Sequence, residues 1–143
     1  MATFRPIATL VSGLLRPPML ELIAEHRGAT TPDVSVLMPL FETEAMVAEA
    51  VGSVLAQEGS IAEVIISDDG SSDDTLAAVR AHVEAYVGPH TVRIFRTRRR
   101  LRIDHLGALV EAAMARILVQ AHGDDVSVPG RLAVLLDVHR RTG

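Results

Sequence analysis

The chain has 143 residues, a length that fits a single domain, and 48% of them are hydrophobic against 22% charged. This balance excludes bulk disorder and predicts a globular fold with an aliphatic core. The net charge of −4 and the scarcity of aromatic residues argue against nucleic-acid binding. The absence of cysteine excludes disulfides, thiolate nucleophiles and cysteine-ligated zinc.

Residues 1–31 are predicted to form an N-terminal arm that is partly helical. Residues 19–26 carry apolar side chains at helical spacing, which predicts a short helix there. The apolar run at residues 7–15 is too short to span a bilayer, and no clean cleavage site follows it. We therefore expect no transmembrane segment and a cytoplasmic location.

Residues 32–143 are predicted to form one domain in which strands and helices alternate. The strands are expected at residues 34–38, 64–66, 92–95 and 117–119, and the helices at 43–57, 73–86, 105–116 and after Pro129, which suits a first helical turn. Pro39 is expected to end the first strand because proline cannot donate to a sheet ladder. The alternation predicts an α/β fold, a doubly wound and mostly parallel sheet with helices on both faces.

A first acidic segment, DDGSSDDT at residues 68–75, follows a predicted strand. Ligands of such sheets bind at the carboxyl ends of the strands, where Asp68 and Asp69 can accept hydrogen bonds from a ribose or a base. The same residues can instead form a turn at Gly70 and cap the next helix. A third interpretation is a receiver-like domain that accepts a phosphoryl group on Asp68 or Asp69.

A second acidic pair, Asp124 and Asp125, also follows a predicted strand. Adjacent carboxylates suit Mg²⁺ or Mn²⁺, which prefer oxygen ligands and share them with substrate phosphates. The alternative is a solvated turn. Because both acidic pairs follow strands of one sheet, we expect them to converge on a common cleft.

The order and spacing of five segments resemble glycosyltransferase family 2. These segments are VSVLMP at 34–39, SVLAQ at 53–57, VIISDDGSSDDT at 64–75, GDD at 123–125 and PGRL at 129–132. The resemblance covers residues 33–141 and implies the GT-A fold of nucleotide-diphospho-sugar transferases.

The resemblance also implies a function and a site. The donor would be a nucleoside-diphosphate sugar, such as a UDP-sugar, and the acceptor a hydroxyl of an unidentified glycan, lipid or protein, with inversion at the anomeric carbon. Asp124 and Asp125 would hold Mg²⁺ or Mn²⁺. The residues expected at the nucleotide sugar are Pro39, Leu40, Glu42, Asp68, Asp69 and Asp124.

The chain departs from the family pattern in three places. Phe41 and Glu42 stand where the family usually has an asparagine or a similar residue, and His122 replaces the first Asp of the acidic triplet. The sequence also ends at Gly143, before the segment that supplies the general base, and Asp137 is more consistent with a solvated helix position. Two hypotheses follow: an enzyme or enzyme fragment, or a truncated non-catalytic relative that works through a partner chain or self-association.

An arginine-rich run occupies residues 96–102 and contains five arginines. Charges this dense are predicted to form a solvated loop. Such a loop could also contact a sugar diphosphate, an anionic acceptor or an acidic membrane surface, the last of which would place the protein at the inner face of the membrane. The histidines at positions 82, 90, 105 and 139 show no ligand spacing and are predicted to be surface groups.

Overall fold

A computed structural model describes residues 19–143. The strands in this part of the chain are β1 (Leu20–His26), β2 (Val34–Leu40), β3 (Ala62–Asp68), β4 (Thr91–Thr97) and β5 (Leu118–Gln120). The α-helices are α1 (Glu44–Leu55), α2 (Thr75–Glu84), α3 (His105–Ala112) and α4 (Arg131–Thr142), and a single 3-10 turn at Arg102–Asp104 directly precedes α3. The strands form one sheet in the order β1-β4-β3-β2-β5. All neighbouring strands are parallel except β1, which runs antiparallel to β4. The predicted mostly parallel α/β fold is confirmed.

The central strands β2 and β3 are buried on both faces, as their near-continuous apolar sequences require. Helices α1, α2 and α4 pack on one face of the sheet, where side chains such as Met38, Val51 and Leu136 form the larger core cluster. Helix α3 covers the other face through Leu109, which packs with Leu37 and Ile65. None of the helices in residues 19–143 is long and apolar enough to cross a membrane.

The helix predicted for residues 19–26 is wrong, because this segment forms strand β1. It pairs with β4 from Leu20 opposite Thr97 to His26 opposite Val92, with a bulge between Leu22 and Ala24. The bulge shifts the alternation of side chains by one residue, and this shift imitates helical spacing in the sequence. The sheet therefore begins inside the segment predicted as an arm. The apolar run at residues 7–15 lies outside the described residues.

The prediction that Pro39 ends β2 is also wrong, because the strand continues to Leu40. The backbone N–H and C=O groups of the odd-numbered residues of β2 point toward β5. The Ser35 amide donates to the Ile117 carbonyl, and the Ala121 amide donates to the Leu37 carbonyl, both over 2.9 Å. The pairing of β2 with β5 ends at Leu37. At Pro39 no ladder hydrogen bond is missing, so proline is tolerated there.

Helices α3 and α4 begin or end differently from the predictions. Helix α3 ends at Ala112, four residues before its predicted end at residue 116. The helix stops there because buried side chains accept hydrogen bonds from the amides that follow: Met114 N–H donates to Glu63 (2.8 Å) and Ala115 N–H donates to Ser35 (3.0 Å). Helix α4 begins at Arg131, and Gly130 precedes it with a left-handed φ of 76°. Pro129 therefore lies before the helix.

His90 was predicted to be a surface group, but it is fully buried beneath the loop that follows α1. Its Nδ1 accepts a hydrogen bond from Ala62 N–H (3.1 Å), and its Nε2 donates to the Gln57 carbonyl (3.0 Å). The amide of Ala62 can only donate, so the ring must be neutral with its proton on Nε2. Burial lowers the pKa of His90, and the hydrogen bond to Gln57 opposes this only in part.

The stability of the fold is expected to decrease as the pH falls below about 6.5, the ordinary value for histidine. In that range the unfolded chain binds a proton at His90 and the folded chain does not, so unfolding takes up a proton. The free energy of unfolding therefore falls by up to about 1.4 kcal/mol for each unit by which the pH is lowered. Urea unfolding of wild type and His90→Gln as a function of pH measures this difference. Since burial also lowers the pKa of His105, the variant should lose only part of the slope. The exposed His139 serves as control, and an undiminished slope in His90→Gln would contradict the assignment.

Candidate functional site

The two acidic loops meet at the carboxyl end of β2, beside Leu40. The Asp69 amide donates to the Leu40 carbonyl over 2.9 Å. On the other side, a methyl group placed on Gly123 would approach Leu40 Cδ2 to 2.5 Å and Thr43 Oγ1 to 2.8 Å. Glycine at position 123 therefore lets the second acidic loop pack directly against β2.

Asp68 closes its own turn at the end of β3. Its carboxylate is buried and accepts hydrogen bonds from the amides of Gly70 (3.2 Å) and Ser71 (3.1 Å) and from the Ser71 hydroxyl. Gly70 adopts a φ of 79°, the left-handed region that favours glycine. In this structure Asp68 thus has the turn-forming role that was one of the interpretations of the segment.

Asp69 is as buried as Asp68, with 3% of its surface exposed. Its Oδ1 accepts from the Thr97 hydroxyl (3.0 Å) and the Leu101 amide (2.7 Å), and its Oδ2 accepts from the Arg102 amide (2.8 Å). Burial alone would raise the pKa of Asp69, but these donors and the nearby His105 hold it below its ordinary value. The carboxylate is therefore ionised, and it fixes the loop between β4 and α3.

His105 lies behind the acidic turn and was wrongly predicted to be a surface group. Its side chain is buried, with Nε2 2.8 Å from the Ser67 hydroxyl. Burial lowers the pKa of His105, and the neighbouring Asp69 and Asp68 oppose the shift. No spacing in the sequence predicts this contact, because Ser67 and His105 come together only when α3 packs on the face of the sheet that contains β3.

Glu42 joins the loop after β2 to the loop after β3. Its Oε1 accepts from the Ser72 amide (3.0 Å) and hydroxyl (2.7 Å), while its own amide donates to the Ser71 hydroxyl (2.9 Å). The hydrogen bond from the Ser72 hydroxyl lowers the pKa of Glu42. The left-handed φ of 54° at Glu42 gives this loop the sharp turn that the contact requires.

Pro39 and Leu40 lie at the end of β2, with Pro39 partly exposed and Leu40 buried. The next residue, Phe41, supports a contact that the sequence did not predict. The guanidinium of Arg100 lies 3.7 Å from the centre of the Phe41 ring, close enough for a cation–π interaction. This stack bridges the loops that follow β2 and β4.

Asp124 and Asp125 are exposed, and neither carboxylate has a hydrogen-bond or ion-pair partner within residues 19–143. Over the same residues, no three His, Asp or Glu side chains lie close enough together to hold a metal ion. The donor set is therefore two free carboxylates, which fit a hard cation only if a ligand completes its coordination. His122 is exposed beside them, and Asp137 is exposed on α4, where it pairs with Arg141.

Thr43 has a buried hydroxyl at the junction of the two acidic loops. This Oγ1 atom has no hydrogen-bond partner in the described part of the chain. A groove of about 640 Å³ lies elsewhere, between α1 and α2, and is lined mainly by alanines. A smaller cavity of about 340 Å³ adjoins Glu42, Thr43 and Asp73. The polar junction at Leu40 and Thr43 is thus the better candidate for a ligand that carries phosphate.

Comparison with known proteins agrees with the fold and identifies the family. The chain is 31% identical over 112 residues to EpsE of Bacillus subtilis (strain 168), whose name calls it a glycosyltransferase; the match covers 76% of this chain and 40% of EpsE. The mannosyltransferase PcManGT from Pyrobaculum calidifontis, solved with GDP-Man and Mn²⁺, superposes with a TM-score of 0.67 at 19% identity, over 95% of this chain and 39% of that protein. TarS of S. aureus, solved with UDP-GlcNAc, gives a TM-score of 0.61 at 20% identity, over 76% of this chain and 32% of TarS.

The described sheet and helices therefore have the GT-A fold, and the chain spans less than half the length of these relatives. The sequence profile described as Glycosyl transferase family 2 matches residues 35–143. The chain belongs to glycosyltransferase family 2.

Proposed function

We propose that this chain supplies the nucleotide-sugar-binding part of a glycosyltransferase that transfers a sugar from a UDP-sugar to an acceptor hydroxyl with inversion. The observation that carries the proposal is the convergence of the two acidic loops on Leu40. Two GT-A structures similar to this chain contain nucleotide sugars, GDP-Man in one and UDP-GlcNAc in the other. The acceptor remains a glycan, lipid or protein hydroxyl.

Asp124 and Asp125 are proposed to hold the divalent cation, Mg²⁺ or Mn²⁺, and Asp124 also to face the donor. Both carboxylates are exposed and unpaired within residues 19–143, so no internal contact has to break before they bind. When bound, the cation would neutralise the diphosphate and stabilise it as a leaving group. The unsatisfied hydroxyl of Thr43 supports a polar ligand or a water at the same junction.

Asp69 is proposed to recognise the nucleobase while it holds the loop after β4. Its Oδ1 already accepts two hydrogen bonds, but its Oδ2 accepts only one. A carboxylate oxygen can accept two, so Oδ2 has one acceptor position left for a base N–H. Pro39, Leu40, Glu42 and Asp68 contribute by shaping this edge, since their contacts are with the loops themselves.

Replacing Asp125 with asparagine is expected to weaken the metal-dependent binding of UDP about tenfold or more, because the change removes a charged cation ligand. Calorimetry with UDP and Mn²⁺, repeated with EDTA, measures the effect. Asp137→Asn is the matched control, since Asp137 is an exposed carboxylate on α4. Failure of the wild-type chain to bind UDP, or an unchanged affinity in Asp125→Asn, would contradict the proposal.

A second candidate function is a non-catalytic module that keeps the fold and works with a partner chain or a second copy. The substitution at His122 favours it, and so do exposed apolar side chains on α4, namely Val134, Leu135 and Val138. Sugar transfer or donor hydrolysis by the purified chain would exclude it. A phospho-acceptor function is disfavoured by the family assignment and by the burial of Asp68 and Asp69.

We also propose that the protein acts in the cytoplasm, at the inner face of the membrane. The absence of cysteine is compatible with a reducing compartment. The support for a peripheral position is the exposed basic loop between β4 and α3.

A further inference from the structure

The arginine loop, residues 98–104 between β4 and α3, concentrates positive charge in a chain whose net charge is negative. Its four arginines are exposed, and none has a carboxylate within ion-pair distance among residues 19–143. The arginines are Arg98, Arg99, Arg100 and Arg102. Residues 1–18 contain no Asp or Glu either. By contrast, the nearby Arg96 on β4 pairs with Glu21 on β1 over 3.4 Å.

An apolar side chain projects from the same loop. Ile103 is 92% exposed, directly after Arg102 and before the exposed Asp104. At this exposure the side chain has almost no contact with the rest of the fold, so it contributes little to stability and its apolar surface is free to contact a partner. An apolar side chain next to several arginines is complementary to a surface that is both apolar and anionic.

Buried contacts fix the backbone conformation of the arginine loop. Leu101 is buried, and the amides of Leu101 and Arg102 donate to the carboxylate of Asp69. The Arg98 amide donates to the Met19 carbonyl over 3.0 Å, and Arg102 adopts a left-handed φ of 54°. With its backbone fixed, the loop loses little conformational entropy when its side chains bind a partner.

The exposed pair Asp124 and Asp125 does not cancel this charge. The loop follows β4, whereas Asp124 and Asp125 follow β5, three strand spacings away in the sheet. That separation is about 14 Å, which exceeds the screening length of about 8 Å at physiological salt. The carboxylates closest to the loop are Asp69, which accepts hydrogen bonds from the Leu101 and Arg102 amides, Asp104, within the loop, and Glu42, which lies near Arg100. Arg98 and Arg99 form an ion pair with none of these carboxylates, so exposed positive charge remains at the β4 end of the sheet.

We propose that the arginine loop docks on an anionic lipid bilayer, with the arginines on the lipid phosphates and Ile103 inserted at the boundary of the acyl chains. The inference deepens the proposed peripheral location: both rest on the exposed basic loop, and the inference adds the class of lipid that is bound and the side chain that inserts. A bilayer is favoured over a soluble polyanion because only the bilayer offers an apolar layer to Ile103. Each arginine near such a surface strengthens binding about fivefold, and the apolar insertion adds to this.

The test uses flotation of the full chain with vesicles of phosphatidylcholine alone or mixed with phosphatidylglycerol. Wild type is expected to bind only the anionic vesicles, and more weakly as salt is raised. The double variant Arg98→Gln/Arg99→Gln should bind about 30-fold more weakly, and Ile103→Ser about fivefold more weakly. Matched controls are Arg116→Gln/Arg140→Gln, two exposed arginines outside the loop, and Val87→Ser, whose side chain is 94% exposed. Thermal melting checks that each variant is folded.

Three results would overturn the proposal. One is equal binding of wild type to both kinds of vesicle. The second is equal weakening by the control variants. The third is a loss on Arg98→Gln/Arg99→Gln with none on Ile103→Ser, together with full competition by soluble polyphosphate, which would indicate a polyanion site. Binding of UDP and Mn²⁺ by the same samples is measured separately, so failure of the nucleotide site and failure of the bilayer site are distinguishable.

Discussion

Replacing Asp69 with alanine is expected to destabilise the fold by about 3 kcal/mol or more and to loosen the arginine loop. The carboxylate satisfies the Thr97 hydroxyl and the amides of Leu101 and Arg102, and two of these three hydrogen bonds are buried. A buried donor left without its partner costs about 1–3 kcal/mol. Within residues 19–143 the amides of Leu101 and Arg102 have no acceptor other than this carboxylate.

Two measurements check this expectation. Urea unfolding gives the loss of stability, and brief trypsin digestion of the folded protein reports the loop, because its four arginines are cleavage sites. Faster cleavage within residues 98–102 is expected for Asp69→Ala. Asp74→Ala is the matched control: Asp74 is exposed, precedes α2 and makes no side-chain capping hydrogen bond. Wild-type stability and wild-type cleavage in Asp69→Ala would show that the carboxylate does not hold the loop.

Replacing Glu63 with glutamine is expected to cost about 3–5 kcal/mol, the usual loss when one partner of a buried ion pair is removed. Glu63 is fully buried in β3 and pairs with Arg93 of β4. The same carboxylate accepts from the Ser35 hydroxyl (2.5 Å) and the Met114 amide (2.8 Å). Glutamine keeps the shape but removes the charge, so the guanidinium of Arg93 remains in the interior without a counter-charge.

The control for Glu63 is Glu84→Gln, which removes one partner of the exposed Arg80–Glu84 pair at 3.5 Å on α2. Exposed pairs of this spacing contribute about 0.5 kcal/mol or less. Urea unfolding compares the two variants, and the double variant Glu63→Gln/Arg93→Gln should recover part of the loss, because it removes the uncompensated charge. A loss in Glu63→Gln no larger than in Glu84→Gln would mean that the buried charge pair contributes little.

Both buried carboxylates act on the same strand but at opposite ends. Glu63, at the start of β3, terminates α3 by accepting the Met114 amide, and Asp69, just past its end, fixes the loop from which α3 begins. The helix that covers the second face of the sheet is thus positioned by two anions of β3. The family resemblance assigned a role to only one of them, Asp69.

The sequence by itself determined the elements whose signal is local. Apolar runs placed β2 to β5, helical spacing placed α1 and α2, and the ordered acidic motifs indicated glycosyltransferase family 2, which the comparison confirmed. The signal of each strand, helix and single motif lies within a short run of neighbouring residues, so periodicity and turn chemistry suffice to identify it. The roles assigned to Asp69, Asp124 and Asp125 in binding a nucleotide sugar and a metal stay predictions.

Only the tertiary structure decided what depends on contacts between distant segments. Residues 20–26 became a strand because the edge of β4 needs hydrogen-bond partners, and Pro39 stayed within β2 because the pairing with β5 had already ended. His90 and His105 are buried against hydrogen-bond partners, and Asp69 accepts a hydrogen bond from the arginine loop. The partners in these three contacts lie 28 to 38 residues away in the sequence. Hydrogen-bond donors and acceptors that lie far apart in sequence find each other only when the sheet is assembled, and no local pattern records that pairing.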